Sequence, residues 1–176
     1  IYSIDQSSGT YDIVNKIYSN TGKASNTGGE LIAHWKADKT LKLNASLNAF
    51  RIRRDPANVT LLFPYVRIVT LSPSSDFTWD GKLGVEAALG KSTKMQLNGV
   101  YYAARDIAQG SQAARSALDL SLSRTFAKDR IKASLSATDI FNSFGSKTTV
   151  NGVGFDALYE NYYETQAVML SVEFKI

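Results

Sequence analysis

The sequence predicts an all-β, antiparallel meander of about eight strands, on three observations. Apolar and polar residues alternate at a period of two along nearly the whole chain, and no stretch keeps helical spacing. The connections between alternating runs are long and short in turn. Aromatic residues collect near the ends of the runs.

Taken in order, the runs over residues 11–19 and 28–37 alternate loosely. The run over 40–53 sets Leu41, Leu43, Ala45 and Leu47 against Lys42, Asn44, Ser46 and Asn48. Over 77–90, Phe77, Trp79, Leu83, Val85 and Ala87 take one phase while Thr78, Asp80, Lys82 and Glu86 take the other. Over 93–105, Met95, Leu97 and Tyr101 oppose Lys94, Gln96 and Asn98; over 115–127, Leu118, Leu120 and Leu122 oppose Asp119, Ser121 and Ser123. Ile131, Ala133, Leu135 and Ala137 define 130–142, and Val168, Leu170, Val172, Phe174 and Ile176 define the closing run over 158–176. Successive side chains of a strand point to opposite faces, so each run has an apolar face and a polar face. Residues 1–176 are expected to form one β-barrel segment, with a long loop or extended hairpin at 54–76.

The connections sort the architectures. Those at 20–27, 54–76, 106–114 and 143–157 are long, whereas those at 37–40, 90–93 and 127–130 are tight. A meander with every second connection short is the plan of a transmembrane outer-membrane barrel, with short periplasmic turns and longer extracellular loops. Runs of about ten residues suffice for a tilted strand to cross the hydrocarbon. Tyr18, Phe50, Phe77, Trp79, Tyr101, Tyr102, Phe141, Phe144, Tyr159, Tyr162 and Tyr163 fall towards the long-loop side, and Trp35, Phe126 and Phe174 towards the short-turn side. Two aromatic girdles at headgroup level have this distribution. The expected location is the bacterial outer membrane, with its lipid as a partner. A soluble β-sandwich binding module also alternates, but it has no reason to sort its connections by length.

Composition narrows the function. The 176 residues are 44% hydrophobic and 20% charged, which excludes a disordered tail. The mean hydropathy is −0.17, and no window approaches about 18 apolar residues, which excludes a helical membrane protein but not a barrel. The chain begins at Ile1 rather than Met, as expected of a mature or excised segment. Lys and Arg number 20 against 16 Asp and Glu, a net charge of +4, scattered except at Arg51, Arg53 and Arg54. No basic patch is interleaved with stacking aromatics on a solvent face, so no nucleic-acid partner is expected. The absence of cysteine removes disulfides, thiol catalysis and cysteine-bound zinc together. His34 is the single histidine, with no further metal ligands near it in sequence and no serine elbow. The chain is therefore read as not an enzyme, with no catalytic, cofactor-binding or metal-binding residues.

Chemistry-bearing residues instead group by strand phase. Glu30, His34, Asp80, Lys82, Glu86 and Asp119 are candidates to face a lumen, on a polar phase otherwise made of small Ser, Asn, Thr and Gly. Arg51, Arg53, Arg54, Phe63, Tyr65, Asp139 and Asn142 are extracellular loop candidates. The arginines suit anionic lipopolysaccharide at the outer rim. Asp139 and Asn142 flank Ile140-Phe141; there a ligand contact competes with the simpler reading, a strand-end turn whose Asp and Asn satisfy the backbone. Residues 59–71 are too apolar for an exposed loop. They suit a hairpin running past the membrane and turning near Phe63-Pro64, a patch for a partner such as a lid lipoprotein, or both.

Several segments carry a family likeness: Gly28-Gly29-Glu30-Leu31, Ile107-Ala108-Gln109-Gly110, Asp119-Leu120-Ser121-Leu122-Ser123, Ile131-Lys132-Ala133-Ser134-Leu135, and Thr138-Asp139-Ile140-Phe141-Asn142 followed by a terminal apolar strand. With these the chain, over residues 11–176, resembles the C-terminal end of a TonB-dependent receptor barrel of the outer membrane protein β-barrel family. Val172, Phe174 and Ile176 resemble the β-signal read by barrel-assembly machinery, with Phe-Lys-Ile in place of a terminal Phe. The resemblance implies a plugged transporter of about 22 strands that takes up a scarce nutrient with energy from a TonB-type inner-membrane partner. This chain would be its last eight strands, and the plug and remaining strands would be its partners. The alternative is a small barrel complete in eight strands, with a structural or adhesive role.

Overall fold

The computed structural model describes residues 1–5, 9, 13–62 and 65–175, and every regular element among them is a strand. In chain order these are β1 (Tyr2–Asp5), β2 (Ile13–Lys16), β3 (Ala24–Lys36), β4 (Leu41–Arg54), β5 (Ala57–Leu61), β6 (Arg67–Leu71), β7 (Ser74–Ala88) and β8 (Thr93–Tyr102). They continue with β9 (Arg105–Ile107), β10 (Gly110–Gln112), β11 (Arg115–Phe126), β12 (Ile131–Thr138), β13 (Ser146–Gly152), β14 (Phe155–Asn161) and β15 (Ala167–Phe174). The long strands form one seven-stranded sheet in the order β15-β12-β11-β8-β7-β4-β3, every pairing antiparallel. Among the described residues neither β3 nor β15 has a second neighbour, so the sheet is an open wall.

Register makes this wall two-faced. Trp35 lies opposite Leu43, Leu43 opposite Val85, Val85 opposite Leu97, Leu97 opposite Leu120, Leu120 opposite Ala137, and Ala137 opposite Val168. One residue away, the row His34, Asn44, Gly84, Asn98, Asp119 crosses β3, β4, β7, β8 and β11 on the other face. A one-residue slip anywhere would exchange the faces, so the period-two pattern and the pairing enforce one another. The apolar face is uncovered: Leu31, Trp35, Leu83, Leu122, Leu135, Leu170 and Phe174 are all exposed. A soluble monomer rarely leaves so large an apolar surface bare.

The buried core lies elsewhere, beyond the long-connection end of the wall. The register of β4 on β7, with Arg54 opposite Ser74, continues unshifted into β5 on β6, with Ala57 opposite Leu71. One extended hairpin therefore runs past the sheet, and Val59, Leu61, Val69 and Leu71 on one of its sides form a buried cluster against Ile1, Ile17 and Ala57. The pair β8–β11 likewise continues as β9–β10, which joins β13 and β14 in a four-stranded sheet. The β1–β2 hairpin closes this cap. Tyr2 donates its N–H to Gln109 Oε1 at 2.7 Å and accepts from Gln109 Nε2 at 3.2 Å, so a side-chain amide imitates a strand partner. The ring of Tyr2 lies 5.3 Å from that of Tyr159.

Several strand limits differ from the sequence reading. The run expected over 11–19 is described as β2, Ile13–Lys16, which pairs with β1 in the cap rather than joining the wall; Tyr11 and Asp12 lie outside the described residues. The run over 158–176 divides between β14 in the cap and β15 in the wall. The wall thus holds seven strands in place of the expected eight. The loops at 54–76, 106–114 and 143–157 contain the hairpins of the cap; the expected turn near Phe63 and Pro64 lies outside the described residues.

The opposite end is made of tight turns. In the first, Asp38 Oδ1 accepts from Thr40 N and Oγ1, each at 2.6 Å, and from Leu41 N at 3.1 Å. In the third, Ala127, Lys128 and Asp129 have φ of 52, 56 and 67°, three consecutive side-chain-bearing residues in the left-handed region.

Candidate functional site

Two surfaces carry chemistry: the polar face of the wall, and the cap above it. Glu30 and His34 stand on the polar side of β3, Asp80, Lys82 and Glu86 on that of β7, and Asp119 on that of β11, so pairing brings all six to one face. They spread along the face rather than converge. Among the described residues no group of three or more metal-ligating side chains comes together. His34 Nδ1 lies 2.8 Å from Asn44 Oδ1 on the neighbouring strand. Glu86 meets Lys42 at 3.0 Å, an exposed cross-strand pair worth at most about 1 kcal/mol. At the turn end, Lys39, Lys42, Lys91, Lys94 and Lys132 line a groove with Glu86 and Asp129, so this end of the polar face is basic.

The other end holds a feature that the sequence reading missed. The Arg115 guanidinium lies 5.0 Å from the Tyr102 ring and 4.9 Å from the Phe144 ring, and these rings are 6.2 Å apart. Tyr102 and Phe144, expected in a girdle, instead hold an arginine. For Tyr102 and for Phe50 strand phase is the usable signal, because their even numbers in β8 and β4 put them on the polar side. The outer girdle on the apolar face is carried by Phe77, Trp79 and Tyr101, with Trp79 stacked on Tyr101 at 4.7 Å.

Among the expected loop residues, Arg54 donates to Ser74 Oγ at 3.4 Å and to the Asp106 carbonyl at 2.8 Å. Arg51 and Arg53 stand on the apolar side of β4 and are exposed. Tyr65 is exposed, with the Arg67 guanidinium 5.6 Å from its ring. Asp139 is 2% exposed. Its carboxylate accepts from Ser143 N at 3.0 Å, from Phe144 N at 3.2 Å and from Thr165 Oγ1. Burial pushes this carboxyl up, but the three donors outweigh burial and hold it below the usual carboxylate value. Asp139 and Asn142 adopt φ of 43 and 49°, and Asn142 donates its N–H to the Asp139 carbonyl at 2.7 Å. Two of the three donors to Asp139 are local backbone N–H groups, as in a strand-end turn, and the third, Thr165 Oγ1, ties that turn to the segment before β15. Val172 and Phe174 lie on the apolar face of β15; Ile176 lies outside the described residues.

A wall apolar on one side and polar on the other, with tight turns below and folded hairpins above, has the anatomy of a membrane β-barrel. A family model described as the outer membrane protein beta-barrel family matches residues 1–174. The chain belongs to the outer membrane protein β-barrel family. No curated protein and no solved structure matches it. Membership places the protein in the bacterial outer membrane, where an outer membrane β-barrel turns its apolar face to lipid and its polar face inward. Arg124, the charged residue among the leucines of that face on β11, lies 5.2 Å from the Phe126 ring, at the level where a long cationic side chain reaches the interface.

Proposed function

We infer that this chain is part of the wall of a TonB-dependent receptor barrel that takes up a nutrient across the outer membrane. The observation that carries the reading is the pair of edges, β3 and β15, left unpaired among the described residues of a seven-stranded sheet. Open edges are not tolerated in hydrocarbon, where every backbone N–H and C=O needs a partner. Further strands completing a wide barrel satisfy that demand. Glu30, His34, Asp80, Lys82, Glu86 and Asp119 then line the lumen, and the folded cap meets substrate at the outer mouth. The reading assigns no catalytic residue.

Its partners would be the remaining strands and a plug, with a TonB-type coupler supplying energy. A lid lipoprotein suits the outward side of the β5–β6 hairpin, where Leu62, Val66 and Ile68 are exposed while the other side is the cap core.

The test is the intact mass of the polypeptide extracted from native outer membranes, together with uptake by cells lacking it. A species several times the mass of 176 residues, and growth failing on one scarce nutrient, is the expected result. A species of the 176-residue mass would overturn the receptor reading and leave a small complete barrel.

A further inference from the structure

The outer rim of the lipid-facing side carries a charged patch that the transport reading does not use. Arg51 and Arg53 are both exposed and both on the apolar side of β4. Two residues apart on one strand face, their Cα atoms are about 7 Å apart. Ser25 and Ser75 flank Arg53 on the adjacent strands, and Thr27 flanks Arg51, with Phe77 on its other side. Two guanidinium groups and three hydroxyls therefore sit together at the edge of the girdle, Arg51 level with Phe77 and beyond Trp79, and Arg53 one step further out. The nearby acids do not neutralise them. Asp76 stands on the opposite face, where it accepts the Asp106 N–H at 2.8 Å. Asp55, next along the chain, forms no ion pair with either arginine among the described residues.

Arginine at such a site needs an anion, and its planar fork pairs with phosphate oxygens two at a time. Just above an aromatic girdle the membrane presents its headgroups. We propose that Arg51 and Arg53, with Ser25, Thr27 and Ser75, bind the phosphate of an outer-leaflet lipid headgroup. The hydroxyls take the phosphate oxygens the guanidinium groups leave free, and Phe77 beside Arg51 and Trp79 below it contact the acyl chains. The site turns outward to lipid, so it depends on the membrane orientation of the wall and not on uptake.

The experiment measures binding of bisphosphorylated lipid A, phosphate-free lipid A and inorganic phosphate to the full-length protein purified from outer membranes in detergent. The Arg51→Gln/Arg53→Gln pair is compared with wild type near physiological ionic strength. Expected is a loss of about tenfold or more in lipid A affinity in the double variant, a similar loss when wild type meets phosphate-free lipid, and weak binding of inorganic phosphate. The Arg53→Gln single variant gives a partial loss and stands in if the double variant fails to fold. Equal lipid A binding by variant and wild type overturns the proposal, as does undiminished binding of phosphate-free lipid. Inorganic phosphate binding as tightly as lipid A overturns the lipid as its source. Uptake undiminished in cells lacking the protein, while lipid A binding by the wild type persists, would count against the transport reading alone.

Discussion

Asp119, on the polar face of β11, accepts the backbone N–H of Asp139 at 2.8 Å, and Asp139 in turn holds the turn that leads into the cap. Two carboxylates in series thus join the wall to the hairpins of the cap. Because the Asp139 carboxyl is held below its usual value, it stabilises the turn fully above the ordinary carboxylate pKa of about 4 and loses that contribution as pH falls through the lowered value. Protection of the Ser143 and Phe144 amides, taken relative to intrinsic exchange at each pH, should fall steeply on acidification below about pH 4 while wall amides stay protected. Asp139→Asn should weaken protection of the same amides at neutral pH, costing about 1–3 kcal/mol locally. Unchanged protection in both tests would remove Asp139 as the tie.

The apolar face makes a second prediction. Lysine at Leu83, Val85 or Leu120 should cost about 2–4 kcal/mol of folding stability in a bilayer if these residues face mid-membrane lipid. Lysine at Ser121, one residue away on the polar face, should cost far less. Folding titrations into lipid vesicles measure both, and tolerance of lysine at all three apolar positions would contradict the assigned faces.

At the turn end, Ala127, Lys128 and Asp129 occupy a backbone region that costs a side-chain-bearing residue about 1–2 kcal/mol. Lys128→Gly should therefore raise stability by about 1 kcal/mol, read from the same titrations. It should leave uptake and lipid binding untouched, since the turn lies at the end away from the cap.

In the cap, Gly110 has φ of 129° and sits where an added Cβ would run into the Thr149 carbonyl of the paired strand. Gly110→Ala should detach β10 from β13. Limited proteolysis should then cut near residues 105–112 while the wall remains resistant. A cap as resistant as wild type would show that the strand pair absorbs the change.

The wall was legible in sequence because its code is local. Leu43, Val85, Leu97 and Leu120 share a face as soon as each strand is read at period two, and the tight turns at 37–40 and 127–130 show which strands are neighbours. The cap was not legible. Alternation does not stop where β8 leaves the membrane level and continues in β9, so strand limits set too long are the natural error. The Gln109 pairing with Tyr2 joins residues 107 apart in sequence, a contact that no local pattern announces. The Arg115 site with Tyr102 and Phe144 needs two strands and a loop before it exists.

By itself, then, the sequence determined that this protein is an antiparallel β-wall with a lipid face and a polar face, because side-chain polarity must follow strand phase wherever a membrane covers one side. Only the tertiary structure decided which runs belong to the wall and which fold above it as β1–β2, β5–β6 and the four-stranded sheet. Both kinds of strand alternate alike. What separates them is whether the apolar side meets lipid, as Leu83 and Leu135 do, or is buried against another hairpin, as Val59 and Leu71 are.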